Sequence, residues 1–193
     1  MTSSLLLEKN KCVYTSCYCE ENVWKLCQKV FQEKPEHLTR CKAVFLSNKR
    51  KAIPLWRQKA GQDENFVMWD YHVIFLEETE LGTRVYDLDT TLPFPVEFET
   101  YLSEAICDES NFKDEFKRKF RVISAANFLK LFASDRSHML DQSGNYLKPP
   151  PDYEPIKTVD SLNNIDDFIS METSNNYGTV MDLSQFRSTF ANK

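Results

Sequence analysis

The sequence predicts an α+β fold in which an N-terminal helix packs on a mostly antiparallel sheet. The chain starts with a helical pattern, continues with strand-like segments joined by short polar turns, and then returns to helical patterns. The strand-like segments are not separated by the helical crossovers that a parallel sheet requires. The 193 residues, of which 41% are hydrophobic, suit one domain with a well-buried core.

The first helix is predicted over residues 17–33. Its apolar side chains recur at helical spacing, and Pro35 lies just beyond its end. Thr15 and Ser16 precede the pattern and are candidate N-caps. The apolar positions are Val23, Trp24, Leu26, Cys27, Val30 and Phe31.

Two antiparallel hairpins are predicted after this helix. Residues 43–47 and 52–56 flank a polar turn, which is typical of a hairpin. Residues 66–76 form one long strand rich in aromatic and β-branched side chains, and residues 83–88 form its partner. This second hairpin carries His72 on one arm and Asp87 on the other.

The second half of the chain returns to helical patterns. We expect helices at residues 98–106 and 125–133 with a short strand at 121–123, and a solvated helix face over the charged run 113–121. One catalytic domain is expected over residues 1–193. Within it, residues 1–10 are candidates for disorder and residues 149–155 for a Pro-rich strap.

Composition and charge exclude several classes of protein. The net charge of −5 is unfavourable for a protein that binds nucleic acid by neutralising phosphates. No apolar run approaches the ~20 residues that cross a bilayer, and Leu5–Leu7 is too short for a signal peptide. We therefore expect no membrane partner, a cytoplasmic location, and reduced thiols at the six cysteines.

Cys17 and Cys19 lie where a loop becomes the first helix. Unpaired N–H groups in a first helical turn stabilise a thiolate and lower its pKa, and they can also bind an oxyanion. The alternative is that both cysteines are small core residues. Zinc is disfavoured, because the chain contains no C-x-x-C pair and the other candidate ligands lie on different elements.

His72 is one of only three histidines in the chain. On its own it could be a core histidine with its hydrogen bonds satisfied. Asp87 and Asp89 share one face of the neighbouring strand, so antiparallel pairing can bring a carboxylate to the ring. Alternation does not choose between these two aspartates. A cysteine, a histidine and an acid together could carry out acyl transfer. The cluster Asp135–His138 is interpreted as a loop salt bridge with a helix cap.

The chain resembles the protein N-terminal glutamine amidohydrolase family, whose signature Trp-Asp-Tyr-His-Val is present here. Five blocks match in the same order and span most of the chain, which is far more specific than one short motif. The blocks are Tyr14–Val23, Trp69–Val73, Tyr86–Thr90 with Leu92–Pro95, Phe132–Met139, and the prolines 149–151.

The resemblance implies a papain- or transglutaminase-like fold with Cys19 as nucleophile, His72 as base and Asp87 as orienting acid. The implied reaction converts an N-terminal glutamine of a protein or peptide to glutamate and ammonia, without metal or organic cofactor. It also implies a monomer acting in the N-degron pathway, in the cytoplasm and by extension the nucleus.

An enzyme restricted to chain termini must recognise a free α-ammonium group, and a buried charge needs a partner. Asp89, Asp70 and Glu20 are the candidate carboxylates, and each could instead be an ordinary structural or surface charge. Two other functions are compatible with the residues. One is a papain-like peptidase that uses the same three groups, and the other is a module that binds N-termini without catalysis.

Overall fold

The computed structural model describes residue 5, residues 7–61 and residues 66–191. The strands are β1 Cys41–Ser47, β2 Ile53–Leu55, β3 Val67–Trp69, β4 His72–Thr79, β5 Gly82–Tyr86, β6 Val96–Glu97, β7 Lys119–Ser124 and β8 Thr179–Asp182. The helices are α1 Cys19–Glu33, α2 Phe98–Tyr101, α3 Ala125–Leu131, α4 Ile165–Ile169 and α5 Leu183–Phe190. A π-helical turn, Leu102–Ile106, continues α2.

Six strands form the main sheet in the order β6-β5-β4-β1-β7-β8. All neighbouring strands in this sheet run antiparallel. The α+β fold with a mostly antiparallel sheet is thereby confirmed. Its likeness to papain and transglutaminase remains a prediction.

The sheet has a hydrophobic core on each face. In β1, Ala43 and Phe45 belong to the core that α1, α3 and α4 cover, whereas Val44 and Leu46 belong to the core with α2 and α5. Strands that are buried on both faces carry apolar residues without interruption. For this reason β1 and β4 show no alternation of polar and apolar residues.

The first predicted hairpin is wrong. Strand β1 pairs with β4 and β7, while β2 pairs with β3 in a separate two-stranded sheet. Both strands exist close to where the sequence places them. The choice of partner depends on contacts across the whole core, and the short polar turn between them does not specify it.

The predicted strand 66–76 is in fact two strands. Its first part, β3, pairs with β2, and its second part, β4, joins the main sheet beside β1. The chain changes sheets at Asp70 and Tyr71, where the Ser47 hydroxyl donates to the Asp70 carbonyl at 2.8 Å. His72 is therefore the first residue of β4 and does not lie in the middle of a strand.

Other local expectations are corrected in the same way. Residues 113–121 contain only a short 3-10 turn and the start of β7, and Arg118 and Arg121 are fully buried. Leu5 and Leu7 lie in the core beneath α1, and the disorder considered for residues 1–10 stays a prediction. Residues 1–4 and 6 lie outside the described residues. No helix of the described chain is long and apolar enough to cross a membrane.

Gly178, just before β8, supports a test of the packing between β7 and β8. Its φ is +82°, and an added Cβ would overlap the backbone carbonyl of Val122. Gly178→Ala should lower the free energy of unfolding by roughly 3 kcal/mol, as measured by urea denaturation. Gly144 has a similar φ of +80° but open space around it, so Gly144→Ala should cost only about 1 kcal/mol. Equal losses in the two variants would contradict the predicted overlap.

Candidate active site

A cleft of about 360 Å³ lies beside the N-terminus of α1 and the start of β4. Its walls include Cys17, Cys19, Asp70, His72, Asp89 and His138. A larger and more open depression of about 600 Å³ lies elsewhere, among Arg118, Asp182 and Arg187, without a cysteine or histidine in its lining. The smaller cleft therefore holds the groups able to form and break covalent bonds.

His72 is held by Asp87. The distance from His72 Nε2 to Asp87 Oδ1 is 3.0 Å, and both side chains are almost completely buried. Burial alone would raise the pKa of Asp87, but His72, together with the hydrogen bonds from Gln58 and the Asp89 N–H, outweighs burial and lowers this pKa to about 2. Asp87 is thus an ionised acceptor and Nε2 carries the proton, which leaves Nδ1 of a neutral His72 free to accept another.

Asp87 is saturated with hydrogen bonds. Oδ1 also accepts the backbone N–H of Asp89 at 2.9 Å. Oδ2 accepts Gln58 Nε2–H at 3.1 Å and the Tyr101 hydroxyl at 2.9 Å. Together with His72, these donors come from four separate parts of the chain. The carboxylate can therefore neither rotate nor exchange partners without losing a buried hydrogen bond.

The ring of His72 also stacks on Trp69, with centroids 6.1 Å apart and planes inclined by 16°. Strict alternation along one strand would have placed these two side chains on opposite faces. The change of sheet at residues 70 and 71 brings them to the same side. His72 is thereby constrained both by a hydrogen bond at its edge and by an aromatic face.

His72, Asp87 and Asp89 offer ligand atoms within 4.8 Å of one another, a spacing that a metal ion could bridge. The donors around Asp87 decide against this interpretation. A carboxylate that already accepts four N–H or O–H groups has no lone pair left for a cation. The arrangement suits a hydrogen-bonded histidine and acid better than a metal centre.

Cys19 is the first residue of α1 and is partly exposed to the cleft. The loop before it is fixed by Asn22, whose side-chain amide accepts from Thr15 N–H and donates to Thr15 C=O, both at 2.8 Å. The N-cap is Tyr18, without a side-chain cap, so the predicted caps at Thr15 and Ser16 are wrong. Within the part of the chain that the structure describes, no side chain caps the first-turn N–H groups, which can therefore interact with a ligand.

The pKa of Cys19 does not move in the direction expected from a helix N-terminus. Burial raises it well above the ordinary value, and the neighbouring Glu20 carboxylate raises it further. The backbone N–H of Val73 opposes these effects by hydrogen-bonding the sulfur. Ionisation of Cys19 therefore depends on a group that can take its proton. His72 lines the same cleft, and its pKa is raised because Asp87, with smaller contributions from Asp89 and Glu20, outweighs the effect of burial.

The three candidate carboxylates occupy different environments. Asp89 lines the cleft, is only 9% exposed, and accepts the Tyr14 hydroxyl through Oδ1 at 2.6 Å. Asp70 also lines the cleft but is exposed to solvent. Glu20 is fully buried behind the cleft wall, where it contacts Cys19 and Tyr71. Of these three carboxylates, Asp89 and Asp70 line the cleft and Glu20 does not.

The loop that carries His138 is tied firmly to α1. Arg136 donates two hydrogen bonds to the Glu21 carboxylate, at 2.8 and 2.9 Å, and a third to the carbonyl of Pro151 at 3.2 Å. The predicted loop salt bridge is thus present, and the proline-rich segment contributes an acceptor to it. His138 lies at one wall of the cleft as a result.

Comparison with known proteins agrees with this geometry. Residues 14–190 match the sequence model of the N-terminal glutamine amidase family. Relatives named protein N-terminal glutamine amidohydrolase are 50% identical in Homo sapiens, 49% in Danio rerio and 47% in Drosophila melanogaster. These alignments cover 95–98% of this chain and 91–94% of the relatives. The chain belongs to the N-terminal glutamine amidase family.

The resemblance indicated by the sequence blocks is therefore confirmed. The family match includes every candidate residue of the cleft, from Tyr14 to His138. Sequence reasoning missed the residues that hold these candidates in place. Gln58 lies in a segment without a recognisable motif, and Tyr101 was interpreted only as a core residue of a helix. Tyr71 and Trp69 lie inside the family signature, which is the one signal that could have drawn attention to them.

The interaction between His72 and Asp87 predicts a measurable titration. Asp87→Asn removes the largest of the influences that oppose burial and leaves only the weaker ones of Asp89 and Glu20, so the pKa of His72 should fall. The ring C–H resonances of His72, followed by NMR as a function of pH, would measure this pKa. The ring resonances of His37, which lies beside Arg40 in the turn that follows the C-terminal end of α1, report whether the fold is intact. An unchanged His72 titration would contradict the assigned cause.

Proposed function

We propose that this protein hydrolyses the side-chain amide of a glutamine that stands first in a protein or peptide. The products are N-terminal glutamate and ammonia, and Cys19 is the nucleophile. The observation that carries the proposal is one cleft lined both by Cys19, at the start of a helix, and by His72, which a buried aspartate orients. Membership of the N-terminal glutamine amidase family supports the choice of substrate.

The first half of the reaction forms a thioester. Cys19 transfers its proton to Nδ1 of His72, and the sulfur attacks the side-chain carbonyl carbon of the glutamine. The uncapped N–H groups of the first turn of α1 stabilise the oxyanion that forms. His72 then returns the proton to the departing nitrogen. Ammonia leaves, and a γ-glutamyl thioester remains on Cys19.

The second half hydrolyses this thioester. Neutral His72 takes a proton from water, the hydroxide adds to the thioester carbonyl, and the Cys19 sulfur leaves with a proton from His72. Asp87 remains ionised throughout and stabilises each imidazolium that forms. Since Asp87 raises the pKa of His72, activity should be lost on the acid side as pH falls through this raised value.

Recognition of the chain terminus requires an acceptor for the α-ammonium group, and we assign it to Asp89. This carboxylate faces the cleft, and only one of its oxygens is engaged by Tyr14. Its low exposure limits screening by water, whereas Asp70 is exposed. Glu20 is too deeply buried to contact a peptide terminus in this arrangement.

The two alternative functions differ from this one in their products. A papain-like peptidase would use the same groups but would cleave the backbone. A binding module would retain the peptide without releasing ammonia. The intact set of Cys19, His72 and Asp87 favours catalysis. The names of the relatives, which specify glutamine at the N-terminus, favour deamidation over cleavage.

The cellular role that we propose follows from the family. The product carries an N-terminal glutamate, which is the acidic terminus that arginylation in the N-degron pathway requires. We propose that the protein acts on proteins and peptides with N-terminal glutamine as a monomer, in the cytoplasm and nucleus, and needs no cofactor.

Matched peptides test the reaction and its nucleophile. Peptides that begin with Gln should release ammonia and gain about 1 Da, by the mass difference between amide and acid, whereas peptides with N-terminal Asn or an internal Gln should not react. Cys19→Ala should lower kcat by roughly 10⁴-fold or more, because the covalent step is lost.

Cys17→Ala is the matched control, since Cys17 lies in the same cleft two residues away. It should retain most of the activity. Equal loss in both cysteine variants would contradict the assignment of the nucleophile. Cleavage of any peptide would favour the peptidase, and tight binding without ammonia release would favour the binding module.

Replacement of the cleft aspartates tests terminus recognition. The readout is the ratio of kcat/KM between a Gln peptide and the same peptide without its α-amino group, because this ratio cancels effects on the chemical step. Asp89→Asn should lower the ratio roughly 10- to 100-fold, and Asp70→Asn by less than about threefold, since Asp70 is screened by solvent. An unchanged ratio in both variants would exclude carboxylate recognition by these residues.

A further inference from the structure

A buried carboxylate lies directly beside the proposed nucleophile. Glu20 is fully buried, and its Oε2 accepts the Tyr71 hydroxyl at 2.9 Å and the Cys19 thiol at 3.6 Å. Its Oε1 is buried without a hydrogen-bond partner among the described residues. A buried negative charge needs compensation by a cation, and the proposed chemistry does not use Glu20.

This carboxylate opposes the formation of a thiolate. An ionised Cys19 sulfur would place a second negative charge 3.6 Å from Glu20 Oε2. Asp89 and Asp70, at the walls of the cleft, also raise the pKa of Cys19 and so disfavour the thiolate. Like charges at such distances disfavour the ionised form of each other. The site therefore requires a positive charge on the far side of Glu20.

His138 lies at this place. Its Nε2 is 3.6 Å from Glu20 Oε1 and 3.4 Å from the Tyr71 hydroxyl, and its Nδ1 is buried without a partner among the described residues. The carboxylates of Glu20 and Glu21 on α1 thus each face one basic side chain of the loop that carries His138. Arg136 pairs with Glu21 through two hydrogen bonds, so that Glu20 is left to His138.

The surroundings of His138 favour its charged form. Glu20 and Glu21 face it from α1, Asp70 and Tyr71 from the segment before β4, and Asp135 from its own loop. Lys51 and Lys148 are the cationic residues that line the same cleft. Burial alone would lower the pKa of His138, but the carboxylates around it, Glu20 foremost, together outweigh burial and raise this pKa.

We propose that His138 is a positioning residue of this site, which as an imidazolium neutralises Glu20 so that Cys19 can pass its proton to His72. This inference rests on the proposed function, since it concerns the ionisation of the proposed nucleophile. His138 keeps its own proton throughout. The only proton that moves is the one from Cys19 Sγ to His72 Nδ1.

Alkylation by iodoacetamide tests this proposal without any glutamine substrate, because the thiolate is the reactive form. His138→Gln keeps an N–H donor where Nε2 stands but removes the charge. Alkylation of Cys19 at pH 7 should slow by about 10-fold, which corresponds to about one unit of thiol pKa. Mass spectrometry of the tryptic peptide Cys12–Lys25 would locate the label, with Cys12 and Cys17 as internal references.

The double variant Glu20→Gln/His138→Gln separates charge from structure. Removal of both charges should restore alkylation to within about twofold of the wild type, because the opposing carboxylate is gone. Failure of this restoration, or a wild-type rate in His138→Gln, would overturn the proposal. The control variant His37→Gln replaces a buried histidine outside the cleft, and its Cys19 should be alkylated at the wild-type rate.

Folding is monitored in the same experiment, since the fully buried Cys27 and Cys41 should remain unlabelled in a folded protein. If His138→Gln does not fold, Glu20→Gln alone tests the charge effect. Its Cys19 should alkylate at least as fast as the wild type, and slower alkylation would overturn the proposal. Hydrolysis of N-terminal glutamine by the Cys19→Ala variant would instead refute the proposed function. The alkylation assay uses no glutamine substrate, so its outcome can be distinguished from that result.

Discussion

The buried carboxylate of Asp87 is the constraint on which the candidate site depends. Its four hydrogen bonds come from His72 at the start of β4, the backbone of Asp89, Gln58 after β2, and Tyr101 at the end of α2. An ionised group that is removed from water is stable only when such donors replace its hydration. The junction of the two sheets and the helix beyond them are therefore held in one arrangement, and His72 is aimed at the cleft as a consequence.

The second organising feature is a balance of charge beneath the cleft. Glu20 and Glu21 follow Cys19 directly, and both are fully buried. The loop between α3 and α4 supplies Arg136 and His138 to face them. Within this loop the carbonyl of Pro151 accepts from Arg136, and the carbonyl of Lys148 accepts from the Tyr18 hydroxyl of the segment before α1. Segments far apart in the sequence thus control the electrostatic environment of a single sulfur.

Local patterns predicted the elements well but not their partners. The helix at α1, the strand at β7 and the helix at α3 are confirmed, because each is encoded by the periodicity of its own side chains. The pairing of β2 with β3, and the change of sheet at residues 70 and 71, were missed. Such pairings depend on which apolar faces can be buried together, and short polar turns do not record this. The final strand β8 and helix α5 were likewise not anticipated.

The sequence by itself determined the fold class and the family and supplied the candidate residues for catalysis, because periodicity and linked motifs are local properties of a chain. The tertiary structure decided how these groups act on one another. Alternation left Asp87 and Asp89 equivalent. The family resemblance implied Asp87, and the physical difference between the two is the turn after β5, which directs Asp87 at His72 and leaves Asp89 in the cleft. The helix N-terminus suggested a lowered thiol pKa, whereas burial and Glu20 raise it. Solvation and charge depend on neighbours in space, and folding alone brings those neighbours together.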